Sequence, residues 1–326
     1  MSKQERGLSQ RDLINFQKAI AETGVPRRRF LKGALGIGAA FFGVDKATTG
    51  VWELCTPDHA EIGWMPGQEE RLRNKETDSM LLVFGGASVR TSDKFIEPVV
   101  KDLEPFGAVG HVDYADDGFD INGIADRIEE QQTKYGVKKL SIYGQSLGTL
   151  VAARVMHELR MRGNDIPLEH LIMDHTPPDM SHVDNAAFYD RIATFNDLYD
   201  GSAIFPMIAN MKLYGNPFQP GTAPTHLFQE DGVILQKGLS YMLMLAAIAK
   251  QDGTKVGFLT PKERERDNGT DAARSEASHK IFFPKMDTFE IAHNNGEDED
   301  IHASPDRHTR GYHDAFTYMH KKWKRT

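Results

Sequence analysis

The chain has 326 residues, 40% hydrophobic and 26% charged, with a formal net charge of −8. This supplies a core for one large domain with an insertion or for two modest ones, and it leaves no basic surplus to neutralise the phosphates of a nucleic acid. The single cysteine, Cys55, rules out an intramolecular disulfide.

Residues 1–25 are polar and charged, and then come Pro26-Arg27-Arg28-Arg29-Phe30-Leu31-Lys32 and the charge-free run 33–44 (GALGIGAAFFGV). Arginines beside a short apolar run have the order of an export signal. The twelve residues of that run fall short of the ~20 needed to span a bilayer. Arg-Arg-x-Phe-Leu-Lys resembles the twin-arginine signal of bacteria, which a receptor reads. The resemblance implies the twin-arginine export machinery as a partner and an extracytoplasmic location. Asp45 and Lys46 precede Ala47, so no A-x-A cleavage site follows and the segment is able to stay attached as a membrane tether. Residues 1–50 thus read as signal or anchor. Residues 51–78, with Trp52 and Trp64 among charges and with Pro57, Pro66 and Gly67 as breakers, read as a connector.

From Ser79 strands and helices alternate. Met80–Phe84 is a continuous apolar run, the pattern of a strand buried on both faces, and ends in Gly85-Gly86-Ala87-Ser88. A helix is expected over Lys94–Glu104, with Phe95, Ile96, Val99, Val100 and Leu103 on one face. Ala108–Tyr114 reads as a strand, Asp116–Asp120 as a turn and Ile121–Tyr135 as an amphipathic helix. A short β-prone stretch, Leu140–Tyr143, leads into Gly144-Gln145-Ser146-Leu147-Gly148 and a helix over 149–162. Leu168–Met173 is a further strand, closed by Asp174-His175-Thr176-Pro177-Pro178. Residues 179–232 break the alternation with short helical patterns, prolines, aromatics and methionines. Then follow a helix over Val233–Lys250, a strand over Lys255–Thr260, a charged loop, a helix over Ala272–Lys280, a strand over Asp287–Ala292, a loop and a last helix from about Pro305 or Asp306. This alternation is that of an α/β chain with a mostly parallel, doubly wound sheet, which binds ligands at the carboxyl ends of its strands. Gly85-Gly86 and Ser146 both fall at such ends.

Gly144-x-Ser146-x-Gly148 between a strand and a helix demands a very tight bend, with glycine where side chains would collide and the serine held in a strained conformation that pushes its hydroxyl out of the turn. In this setting the motif resembles the nucleophile elbow of the α/β-hydrolase family, and the likeness runs from about Ser79 to the C-terminus. It implies one catalytic domain over 79–326 in which the insertion at about 179–232 is a lid. It also implies a Ser-His-Asp triad that transfers an acyl group to water without a cofactor or a metal, a carboxylic ester as the first expectation of substrate, and a small-molecule or lipid acyl partner. A peptidase, thioesterase or acyltransferase on the same fold, or a non-catalytic binding protein that has kept it, are the alternatives.

A serine hydroxyl needs a base within reach and a third group to orient that base. The family order of serine, acid, histidine makes Ser146 the nucleophile. The acid is expected in the loop after the strand at 255–260. Asp267 comes first, because Asn268-Gly269 makes a turn there. Asp271 comes second and is also placed to cap the following helix; Asp174 would serve in a less common arrangement. His302, just before the last helix, is the expected base, ahead of His293 and His313. The oxyanion is expected to meet the backbone N–H of Leu147 and that of Gly86 or Ala87. The histidines at 293–320 and the acidic run 296–300 match no common metal-ligand spacing, and no G-x-G-x-x-G or Walker pattern implies a nucleotide.

Overall fold

A computed structural model describes residues 59–86, 92–114, 119–183, 234–262, 271–292, 303 and 305–325. The export-signal reading of residues 1–50 and most of the expected lid lie outside them. Among the described residues no helix is long and apolar enough to cross a membrane.

Seven strands make one sheet: β1 (Glu61–Trp64), β2 (Ser79–Phe84), β3 (Ala108–Asp113), β4 (Lys139–Gln145), β5 (Leu168–Asp174), β6 (Lys255–Pro261) and β7 (Asp287–Ile291). Their order is β1-β3-β2-β4-β5-β6-β7. β1 pairs with β3 antiparallel, and every other pairing is parallel. The mostly parallel, doubly wound sheet expected from the alternation is therefore the one observed. β2 shows why. Met80, Leu82 and Phe84 join one hydrophobic core while Leu81 and Val83 join a second core on the other face. A strand buried on both sides needs helices on both sides.

Helices α2 (Ile121–Tyr135), α3 (Gly148–Met161) and α4 (Gly238–Asp252) contribute to the first core, and α5 (Ala272–Phe282) lies against β6. The last helix, α6 (Thr309–Trp323), and the turns over 93–106 contribute to the second. The ends follow local chemistry. Asp120 caps α2 by accepting the N–H of Gly123 at 2.9 Å, and Gly136 closes that helix at φ +69°.

Three expectations need correction. The sheet starts before Ser79: β1 and the short helix α1 (Gln68–Arg73) fall within the stretch read as a connector. β1 is four residues long and only half-buried, so its sequence carries little strand signal. The helix expected over Lys94–Glu104 is instead a chain of short turns, Asp93–Ile96, Glu97–Val99, Val100–Leu103 and Glu104–Phe106. Pro98 and Pro105 each sit at the start of a 3₁₀ turn, where they lack the N–H a continuous helix would use. Finally, α6 begins at Thr309 rather than at Pro305 or Asp306.

Candidate active site

Ser146 follows β4 directly and stands before α3, with φ +48°. An L-residue pays roughly 1–3 kcal/mol for such a backbone, and its surroundings must hold it there. Here two neighbours do. The Ser146 N–H donates to Asp174 O at 2.7 Å, and Thr149 Oγ1 donates to Gly144 O at 3.1 Å, stapling the helix start to the strand end. A Cβ on Gly144 would stand 2.2 Å from Thr149 Oγ1, and one on Gly148 would stand 2.1 Å from Phe84 O. The first glycine lets α3 fold back against β4. The second lets the elbow lie against the carboxyl end of β2.

That second contact builds the rest of the site. Gly85 and Gly86 follow β2, and a Cβ on Gly86 would stand 3.2 Å from both Gln145 O and Ser146 Cβ. Gly86 and Ser146 are thus brought together. Leu147, at φ −58°, is the residue before α3 and lies at the positive end of a 14-residue helix.

Beneath the elbow lies a buried polar cluster. Asp174, at the end of β5, has no exposed surface. Its carboxylate accepts the hydroxyl of Tyr143 at 2.6 Å and that of Tyr312 at 3.0 Å to each oxygen. It also pairs with Nδ1 of His175. Burial, then the Asp174 charge and hydrogen bond, push the Tyr143 phenol well above its ordinary pKa. The charge of Asp306 makes a small addition to the same shift.

Of the sequence candidates, Ser146, Leu147 and Gly86 are described and stand together. His302, His293, Asp267 and Ala87 lie outside the described residues. Asp271 caps α5, accepting the Arg274 N–H at 3.0 Å, as its sequence setting allowed. His313 is largely exposed and paired with Asp102 at 2.7 Å on the outer turns, which removes it as a base. The carboxylate of Asp174 is committed to Tyr143, Tyr312 and His175. Nothing in the residue pattern singled out Tyr143, Tyr312 or His175; the one available signal was the closing Asp174-His175-Thr176-Pro177-Pro178 at a strand's carboxyl end.

An antiparallel edge strand, six parallel strands flanked by helices and a serine elbow at the carboxyl end of the fourth strand define the α/β-hydrolase fold. Solved structures agree. MenH from S. aureus matches 82% of this chain and 99% of its own, with a TM-score of 0.50 and 14% identity. A haloalkane dehalogenase, DbeA from Bradyrhizobium elkani USDA94, matches 76% of this chain and 91% of its own, with a TM-score of 0.52 and 9% identity. No protein-family model and no curated protein matches the chain. At these identities the likeness is one of fold, and the chemistry must be argued from the site.

Proposed function

We propose that the chain is a serine hydrolase that cleaves a carboxylic ester by acyl transfer to water. The observation that carries this reading is the strained Ser146 at φ +48°, packed against Gly86 and set at the head of α3. A buried structural serine in a plain strand-to-helix turn has no need of that backbone or of two glycines that admit the end of a neighbouring strand.

In the proposed reaction, Ser146 Oγ attacks the acyl carbonyl carbon while His302 takes its proton. Asp267 orients the imidazole. The oxyanion of the tetrahedral intermediate is held by the N–H groups of Leu147 and Gly86. Collapse breaks the bond to the alcohol, which receives the proton from His302. Water repeats the sequence on the acyl-enzyme and restores Ser146. Ala303, directly after His302, has a left-handed φ of +42°. The N-terminal arginines support export through the twin-arginine machinery to the extracytoplasmic face.

The test is labelling of the purified protein with a fluorophosphonate probe, together with turnover of p-nitrophenyl esters and of peptide substrates. Labelling and ester turnover that vanish in Ser146→Ala support the reading. A well-folded wild-type protein that neither labels nor turns over esters would make it a binding protein on a hydrolase fold.

A further inference from the structure

Among the described residues β7 pairs only with β6, so it is an edge strand. α5 lies against one face of this edge and α6 against the other. Side chains alternate along the strand. Thr288 turns to α5, where its hydroxyl donates to Glu276 Oε1 at 2.9 Å. Phe289 turns to α6, where its ring meets Tyr318 edge-on with centroids 6.0 Å apart. A groove of about 460 Å³ is lined by all three elements together, with Glu276, Thr288, Phe289, Glu290, Asp314 and Tyr318 in its walls. A cavity reached from both faces of a strand lies over its edge. An edge strand presents a row of backbone N–H and C=O groups to whatever fills that space.

The walls select what fits. Glu276 is buried and paired with Lys280 at 2.6 Å, and Lys322, over the Phe289 ring, is paired with Asp287 at 2.6 Å. Glu290 and Asp314 are exposed and meet no cation among the described residues. Tyr318 is 59% exposed. Two open carboxylates beside an aromatic wall suit an extended segment that carries cations and an apolar side chain. A second copy of this edge would bring the same carboxylates and be repelled. The chain holds such a segment outside the described residues, Arg27-Arg28-Arg29-Phe30-Leu31-Lys32. By contrast, the cations of 262–266 alternate with Glu263 and Glu265, and those of 321–325 end α6. In an extended conformation Arg28, Phe30 and Lys32 share one face, with a cation on either side of the ring. Residues 33–58 join this segment to the described chain and reach about 90 Å when extended. The span from β1 to β7 across the sheet is only ~30 Å.

We propose that residues 27–32 of this chain dock along the outer edge of β7, between α5 and α6, as an added strand whose cations meet Glu290 and Asp314 and whose Phe30 packs on Tyr318. Main-chain hydrogen bonds hold such a strand, and its alternate side chains make it selective. Because the segment is tethered, docking is intramolecular, at an effective concentration on the order of 1 mM, and a weak contact suffices. On the export reading proposed above, docking and the export receptor compete for the same arginines, and the folded domain shelters them until the receptor binds. The inference makes no use of the chemistry of Ser146.

Two measurements on the full chain test it. In hydrogen exchange, peptides covering β7 should exchange at least tenfold more slowly in the wild type than in the triple variant Arg27→Ala/Arg28→Ala/Arg29→Ala. The double variant Glu290→Gln/Asp314→Asn should lose the same protection; both residues are exposed, so the fold is kept and Tm is unchanged. Salt at about 0.5 M should remove most of the difference, since the charges are exposed and screened. Carbodiimide coupling joins an amine to a touching carboxylate with loss of water. It should link Lys32 to Asp314 or Glu290 within one chain, shown with mixed isotope-labelled and unlabelled protein, and the link should fall at least fivefold in the triple variant, which keeps Lys32. Equal exchange of β7 in wild type and triple variant, or Lys32 links spread evenly over the exposed carboxylates, overturns the docking. Protection that rises with protein concentration and survives the triple variant puts a second copy on this edge and overturns the choice of occupant.

Discussion

Tyr312 brings its hydroxyl from the last helix to both carboxylate oxygens of Asp174, at 3.0 Å each. Both residues are fully buried, and the contact is a polar link between α6 and the strand end that holds the Ser146 N–H. A buried carboxylate that loses a donor keeps its desolvation penalty and loses the compensation. Tyr312→Phe removes only the oxygen, and the ring still packs against Phe316. It should destabilise the fold by about 1–3 kcal/mol, read as a lower urea midpoint with an unchanged m-value. Because Tyr143 serves the same carboxylate, Tyr143→Phe and Tyr312→Phe should not add. A loss under about 0.5 kcal/mol for Tyr312→Phe would mean that Asp174 does not depend on it.

Gly148 makes a sterner test of the elbow. Its added Cβ would stand 2.1 Å from Phe84 O and 2.5 Å from Gly85 O, all backbone atoms that no side-chain rotation can move away. Gly148→Ala must therefore push the start of α3 away from β2. Overpacking of this kind costs about 1–3 kcal/mol, and the displacement separates Ser146 from Gly86. The expected outcome is a folded but less stable protein whose labelling by a fluorophosphonate is slowed at least tenfold. Wild-type labelling in this variant would show that Gly86 and the elbow need not be in register for the serine to react.

The sheet and the elbow could be read from the sequence because their causes are local. Apolar runs such as Met80–Phe84, of strand length and closed by Gly85-Gly86, fit strands buried on two faces, and Gly144 and Gly148 answer to contacts made within a few residues or across one strand. What the sequence hid has non-local causes. β1 is a strand only because β3 offers it an edge. The partners of Asp174 come from β4 and from a helix 138 residues further on, and no spacing rule joins Asp174 to Tyr312. The positive φ of His175 is likewise not legible from residue type, since histidine adopts that region more often than most residues but still in only a small minority of positions. The break at Pro98, by contrast, was visible in the residue itself, and the apolar periodicity of the 94–104 stretch overrode it.

His279 gives the fold a defined response to acid. It is fully buried on α5, where Nε2–H donates to Thr176 O at 2.8 Å. Burial lowers its pKa from 6.5 to about 4, against the opposing effect of that hydrogen bond. The unfolded imidazole therefore takes up a proton as the pH drops below about 6.5, and the folded one does not until about 4. Between those values the unfolded state binds more protons, so stability falls as pH falls, by up to about 1.4 kcal/mol per unit from this one group. Carboxylates titrate in the same range, so the informative quantity is a difference. His279→Gln keeps an N–H for Thr176 and removes the titration. Urea unfolding at pH 7 and pH 4.5 should show a smaller drop in the variant than in the wild type, and equal drops would mean that the imidazole is able to take its proton in the folded state.

Gly86→Ala probes the site with the least damage to the fold. Gly86 is not in the left-handed region, so alanine is acceptable to its backbone. The new methyl would lie 3.2 Å from Gln145 O and from Ser146 Cβ, a distance that a shift of a few tenths of an ångström relieves. That shift falls on the elbow, between the serine and the backbone donor proposed to face the oxyanion. Donors of this kind act only when they meet the developing charge at hydrogen-bond distance, and misplacing one costs about 3–4 kcal/mol in the transition state at most. Stability should change by less than about 1 kcal/mol, as for a substitution that strains no backbone. The rate should fall in kcat by about 10–100-fold, with KM held within about threefold, because the lost interaction is made in the transition state. A variant that loses substrate affinity and keeps its kcat would put Gly86 in the wall of the acyl pocket and move the second oxyanion donor elsewhere.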